Sequence, residues 1–246
     1  MAIPGNVRAL TDPYLGTFTP VPPAADGVCD VCHSAPNPGW PRCLSCERTI
    51  GQVSRPLTRV VPITLCARMG PVHYLLRQYK DGPAQLRRRL MPRVAALLAR
   101  FLQQHRQCIG GWDLISVVPS SIGRPGPHPL AQAINMVPAL ADTYRALLHA
   151  GLHPAGHLAA RDDAFVVTRE ATGRRVLLVD DTFTTGAEVQ SAASALQAAG
   201  ATIPAAVVIG RYINPDFSQA TQNLWEQAQS RPFRFERCCL CEEPWQ

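Results

Sequence analysis

Apolar positions along the chain change their period several times, and the changes mark the elements. From Pro71 the spacing is helical. Residues Pro71 to Lys80 predict one short helix closed by Asp81-Gly82, and a second opens at Pro83 with Leu86, Leu90, Val94, Leu97, Leu98, Phe101 and Leu102 on one face. Leu114 to Pro119 reads as a buried strand, a helical run follows from Leu130 to Leu148, and Phe165 to Thr168 predicts a short strand. Val176 to Val179 is a continuous apolar run of the kind that parallel sheets bury on both faces. A loop follows it, then a helix from about Gly186 to Ala199 with Gly200 just past its end, then a strand over Ala205 to Ile209. That order predicts a right-handed crossover unit, and so an α/β fold whose mostly parallel, twisted sheet is flanked by helices.

The two ends lack such periodicity. Residues 1–28, rich in Pro, Gly and Ala, read as an irregular arm, and the last 34 residues are polar and end in a cysteine cluster. The expected organisation is an arm and small cysteine module over 1–55, the α/β domain over 56–212, and a helix with a cysteine-rich tail over 213–246.

Composition narrows the class. The 246 residues are 46% hydrophobic and 17% charged, a globular balance. No apolar tract is long enough to span a bilayer, and Met1 to Pro23 lacks the basic start and apolar core of a secretory signal, so the expectation is a cytoplasmic protein without a membrane span. Twenty-four Lys and Arg against 18 Asp and Glu give +6, with Lys80 the sole lysine, a surplus that suits phosphates and other anionic small molecules. The densest basic stretch, Gln85 to Arg93, reads first as a solvated helix face and second as a nucleic-acid contact. Its sequence leaves an oligomer open.

Nine cysteines without a secretory signal point to metal binding in a reducing compartment. Cys29, Cys32, Cys43 and Cys46 form C-x2-C-x10-C-x2-C, in which each short turn can place two thiolates on one ion and two turns complete tetrahedral Zn2+. The tail holds Cys238, Cys239 and Cys241; adjacent cysteines do not ligate together easily, so two of the three, Cys238 and Cys241, are the candidates for a second site or a replacement pair. Cys66 and Cys108, beside apolar residues, read as buried thiols.

The most informative segment runs Val176-Leu-Leu-Val-Asp-Asp-Thr-Phe-Thr-Thr-Gly-Ala. Asp180 and Asp181 stand where a buried strand emerges at its carboxyl end, the edge at which open α/β sheets bind ligands. Thr182, Thr184, Thr185 and Gly186 then supply hydroxyls and a pliable backbone before a helix N-terminus, which together make an anion site. Acids beside a phosphate cradle suit a sugar phosphate, whose hydroxyls they can bind. No Gly-x-x-x-x-Gly-Lys-[Ser/Thr] loop and no Gly-x-Gly-x-x-Gly fingerprint competes.

This string resembles the phosphoribosyl pyrophosphate (PRPP) motif of type I phosphoribosyltransferases. Together with the four-cysteine start, Gln78 to Gly82, Asp113 to Pro119 and Arg161 to Phe165, it resembles the competence protein F (ComF) family over most of residues 29–210. The resemblance implies that Asp180 and Asp181 contact ribose hydroxyls and that Thr182, Phe183, Thr184, Thr185, Gly186 and Ala187 wrap the 5-phosphate. It implies that Pro119, Ser120, Ser121 and Arg124, with Lys80, face pyrophosphate, that Mg2+ accompanies PRPP, and that the phosphoribosyl group passes to an acceptor. Where the family carries an Arg-Gly-Phe-Asn-Gln type motif, this chain has Pro125-Gly-Pro-His-Pro-Leu-Ala-Gln132. His128 there reads as a surface residue, and no general base stands out. A rival expectation is a non-catalytic accessory of DNA uptake, retaining the fold and binding single-stranded DNA or the competence machinery.

Overall fold

The computed structural model describes residues 6–120, 126–167 and 171–245. Four parallel strands, β1 (Val60–Ala67), β2 (Leu114–Val117), β5 (Val176–Phe183) and β6 (Ala206–Ile213), form the main sheet in the order β1-β6-β5-β2. β3 (Leu148–Ala150) and β4 (Phe165–Val167) make a separate antiparallel pair. The strand predicted over 165–168 is β4, and Thr168 lies outside the described residues.

Period-2 alternation sends each strand's side chains to opposite faces. Leu177, Val179, Val207 and Ile209 enter a core with α3 (Pro71–Asp81), α4 (Ala84–Ile109), α5 (Pro129–Asn135) and α8 (Gln219–Gln229). Val176, Leu178, Ala206 and Val208 enter a second core with α7 (Ala187–Ala198) and the first cysteine cluster. The predicted layers, helices over both faces of a parallel sheet, are therefore present. α3 begins and ends, and α4 begins, where the proline and glycine signals placed them, and Leu90, Val94, Leu97, Leu98, Phe101 and Leu102 are buried as the spacing predicts.

Three expectations need correction, and one strand, β1, was not predicted. The run from Leu130 to Leu148 is α5, then α6 (Pro138–Ala141), then β3. Pro138 opens α6, and the residue before a proline is driven out of the helical region, as Val137 is at φ −110°, ψ 106°. The arm contains α1 (Val7–Thr11) and a 3-10 helix over Asp12–Thr17, held by Arg100, which donates to Thr11 Oγ1 at 2.7 Å and to Asp12. β1 has no counterpart in the pattern because Pro62 interrupts it; β1 lies at the sheet edge, where a missing N–H costs no ladder bond. Finally, the strand predicted to stop at Val179 continues to Phe183, so the two aspartates stand inside β5 rather than in a loop.

Candidate functional site

That continuation separates the two carboxylates. In a strand, neighbours point to opposite faces, so Asp181 turns toward α3 and Asp180 toward the α7 side. Asp181 is 2% exposed; Tyr79 Oη donates to its Oδ2 and Lys80 Nζ to its Oδ1 at 2.5 Å. Both of its oxygens are thus engaged by consecutive residues at the end of α3. Asp180 accepts the Asp181 backbone N–H at 2.8 Å. Burial first, and the neighbouring Asp181 next, push its carboxyl well above the usual carboxylate range.

Asp180, Thr182, Thr184, Thr185, Gly186 and Ala187 line one open cleft of about 320 Å3, together with Ser120 and Phe183. Its opposite wall is Ala155-Gly156-His157, whose His157 carbonyl accepts the Thr185 hydroxyl. Sequence reasoning missed this wall, because nothing in Pro154-Ala-Gly-His157 distinguishes it from any loop. Gly186 sits at φ +84°, where a Cβ would also come within 2.3 Å of the Phe183 ring, so glycine is required twice over. No side chain caps α7, and its first N–H groups and positive dipole end border the cleft. Glu188, in that first turn, is the second acid lining it.

Pro119, half-buried, follows β2 beside Ser120, outside the cleft lining. Ser121 and Arg124 lie outside the described residues. The Arg161 to Phe165 stretch fastens rather than lines. Asp162 accepts Ser194 Oγ at 2.5 Å and Ser54 N–H at 3.1 Å, while Asp163 pairs with Arg161 Nε at 3.0 Å and His153 Nδ1 at 2.9 Å.

Beside the loop stands the first cysteine cluster. Cys29, Cys32, Cys43 and Cys46 bring four sulfur atoms within 4.8 Å of one another, all buried. Cys43 is the N-cap of α2 (Leu44–Ile50) and Cys46 is in its first turn, so the helix dipole favours thiolate there. Hydrogen bonds from Cys29, Cys32 and Cys46 carry the Cys43 thiol far below its ordinary value. Four convergent soft donors of this kind fit a tetrahedral ion such as zinc. Val31, between them, accepts Val60 N–H at 3.2 Å, which joins the module to β1.

Arg211 of β6, 4% exposed, connects the cluster to the loop. Its guanidinium donates to Phe183 O at 3.2 Å and Thr184 O at 2.9 Å, and lies 5.1 Å over the Phe183 ring. Burial opposes its charge, and the thiols of Cys32, Cys43 and Cys46 outweigh that and hold it cationic. A lone arginine in a strand carried no signal in the sequence.

The tail cysteines divide. Cys239 is 3% exposed in the α4–α8 core, whereas Cys238 and Cys241 meet His105 and Cys108 in a second group within 4.8 Å that could also hold a metal. Cys108 is therefore no isolated thiol; Cys66, 2% exposed, is one, with burial pushing it up to about 12. Among the described residues no helix is long and apolar enough to cross a membrane. No family model matches the chain, and no curated protein sequence matches it.

Proposed function

We propose that the chain has the type I phosphoribosyltransferase architecture, as a relative of the ComF proteins, and binds PRPP with Mg2+ in the cleft before α7. The observation that supports this is one cleft flanked by an acid, Asp180, and by the uncapped N-terminus of a helix behind Thr184-Thr185-Gly186. Phosphate suits the helix end and the threonine hydroxyls; ribose hydroxyls suit the carboxylate. Acceptor attack forms the new bond at ribose C1 as the bond from C1 to pyrophosphate oxygen breaks. The residues of the cleft would hold the 5-phosphate and ribose still while this happens. Mg2+ would neutralise the leaving pyrophosphate, and Asp180, an oxygen donor kept from ionising by burial and Asp181, is the group on this chain that a cation would relieve. The first cysteine cluster would carry structural Zn2+, in a reducing, cytoplasmic setting that fits nine free thiols.

A thermal shift with PRPP and Mg2+ tests the binding. At 100-fold above Kd the stabilisation is about 2.7 kcal/mol, worth roughly 5–10 °C for a chain of this size. A shift in wild type that Asp180→Asn loses supports the site; no shift in folded, zinc-loaded protein overturns it. Pyrophosphate release over a panel of bases and amines then tests turnover. A second reading draws on the solvent-exposed Arg87, Arg88 and Arg89 at the start of α4: a DNA-uptake accessory. Salt-sensitive binding of single-stranded DNA without pyrophosphate release would favour it.

A further inference from the structure

The cluster at the chain's far end carries its own argument, independent of any ligand in the cleft. His105 and Cys108 belong to the last turn of α4, and Cys238 and Cys241 to a turn in the tail, where Cys241 N–H donates to Cys238 O at 3.1 Å. The separations are 3.5 Å from Cys238 Sγ to Cys241 Sγ, 3.6 Å from Cys108 Sγ to His105 Nδ1 and 3.8 Å from Cys241 Sγ to His105 Nδ1. Zinc bound tetrahedrally, with Zn–S about 2.3 Å and Zn–N about 2.0 Å, sets its ligand atoms roughly 3.5–3.8 Å apart.

Two further observations belong to a ligand set rather than to chance proximity. His105 Nε2 lies 2.7 Å from Phe235 O, and since a carbonyl only accepts, that nitrogen carries the proton. Nδ1 is then the bare lone pair, and it is the atom aimed at the sulfurs, as in a metal-ligating histidine whose other nitrogen is anchored. Next, Cys238 N–H donates to Cys241 Sγ at 3.3 Å, so the tail's C-x2-C turn already directs an amide at the sulfur that would carry negative charge. The backbone of α4 departs from helical values at His105, φ −110°, ψ 17°.

We propose that His105, Cys108, Cys238 and Cys241 form a second zinc centre, of Cys3His type, that clasps the C-terminal tail onto α4. The tail between α8 and this centre supplies Phe233 and Phe235, which stack with Phe18 at 5.1 Å and 6.2 Å, and Phe235 also lies under the Arg100 guanidinium at 4.0 Å. One metal therefore closes a layer that holds the N-terminal arm, α4 and the tail together. Its exposure differs from that of the first cluster. Cys241 is solvent-exposed, whereas Cys29, Cys32 and Cys46 are at 0%. A chelator reaches the clasp first.

The test is metal counting by mass spectrometry on the full chain purified without added metal. Two zinc ions per chain are expected in wild type, and one in Cys241→Ser, whose exposed site tolerates serine. A wild-type count of one that Cys241→Ser leaves unchanged overturns the proposal. Cobalt substitution gives a readout that needs no variant: thiolate-to-cobalt absorption should correspond to seven thiolates, four from the first cluster and three from the second. An intensity matching four alone refutes it. For the clasp, a mild chelator should remove one ion and open the tail to trypsin at the exposed Arg234 and Arg237 without melting the sheet. A tail that remains protected after that ion is lost shows that the metal does not hold it.

Discussion

Asp180 and Asp181 are neighbours in sequence with opposite duties. Asp181 spends both oxygens on Tyr79 and Lys80, which makes it a strut between β5 and α3. Tyr79→Phe, which leaves one buried oxygen without its donor, should destabilise by about 1–3 kcal/mol in denaturant unfolding, with the ligand shift reduced little. Asp180 is one of two acids lining the cleft, and its folded carboxyl resists ionisation. A raised folded value means that stability is greatest while the group is protonated and declines as pH rises from the unfolded value, about 3.9, through the folded one. Asp180→Asn keeps the acceptor for the Asp181 N–H and removes that burden. The ligand-free variant should therefore melt above wild type at neutral pH, the gap closing in acid, while losing its response to PRPP. A variant no more stable than wild type at pH 7 would show that the acid costs the fold nothing. The motif was legible residue by residue, but the separation of its two acids was not: it depends on β5 running four residues beyond its apolar run.

Between elements, what the sequence disclosed tracks how local the signal is. The Val176–Ile209 crossover, the bounds of α3 and the start of α4 rest on short-range spacing and capping, and were readable. β1 was hidden by Pro62, tolerable only because the strand is at an edge, and the 130–148 helix was an illusion that Pro138 breaks. His105 and Cys108 lie about 130 residues from Cys238 and Cys241, so no motif could join them. The Gly186 turn between β5 and α7 is a tight joint. Gly186→Ala should cost about 1–3 kcal/mol, from the positive φ and the Phe183 ring together, and should weaken phosphate binding, measurable as a lower melting temperature and a smaller ligand shift. Asp162, which fastens the 161–165 stretch to Ser194 of α7, has its own pH signature. Burial tends to raise Asp162, and hydrogen bonds from Ser194 and Ser54 overcome it, leaving the carboxyl below its usual value. That stabilisation is present above the unfolded value and lost as pH falls through the folded one. Asp162→Asn should lower the melting temperature at neutral pH, with the difference vanishing in strong acid.

Across the whole molecule, the two cysteine groups occupy opposite faces of one sheet: Cys29, Cys32, Cys43 and Cys46 in the core with α7, Cys238 in the core with α4 and α8. Each fastens a segment that the helices and strands alone leave at the margin. The first group does more, because Arg211 is shared. Its charge answers the thiolates while its N–H groups hold the carbonyls of Phe183 and Thr184, inside the turn that faces the cleft. Removing the first ion would let the thiolates that answer this cation take up protons, and the carbonyls it holds would loosen with it. By reciprocity, a ligand that orders the turn should tighten the metal by the same factor. PRPP titrations of zinc-loaded and zinc-stripped protein should show weaker binding in the stripped form, and Arg211→Lys, a point charge in place of a fork, should abolish the difference. Equal affinities would mean that the two sites are merely adjacent. A molecule wired in this way would translate metal scarcity into a deafness to its phosphorylated ligand.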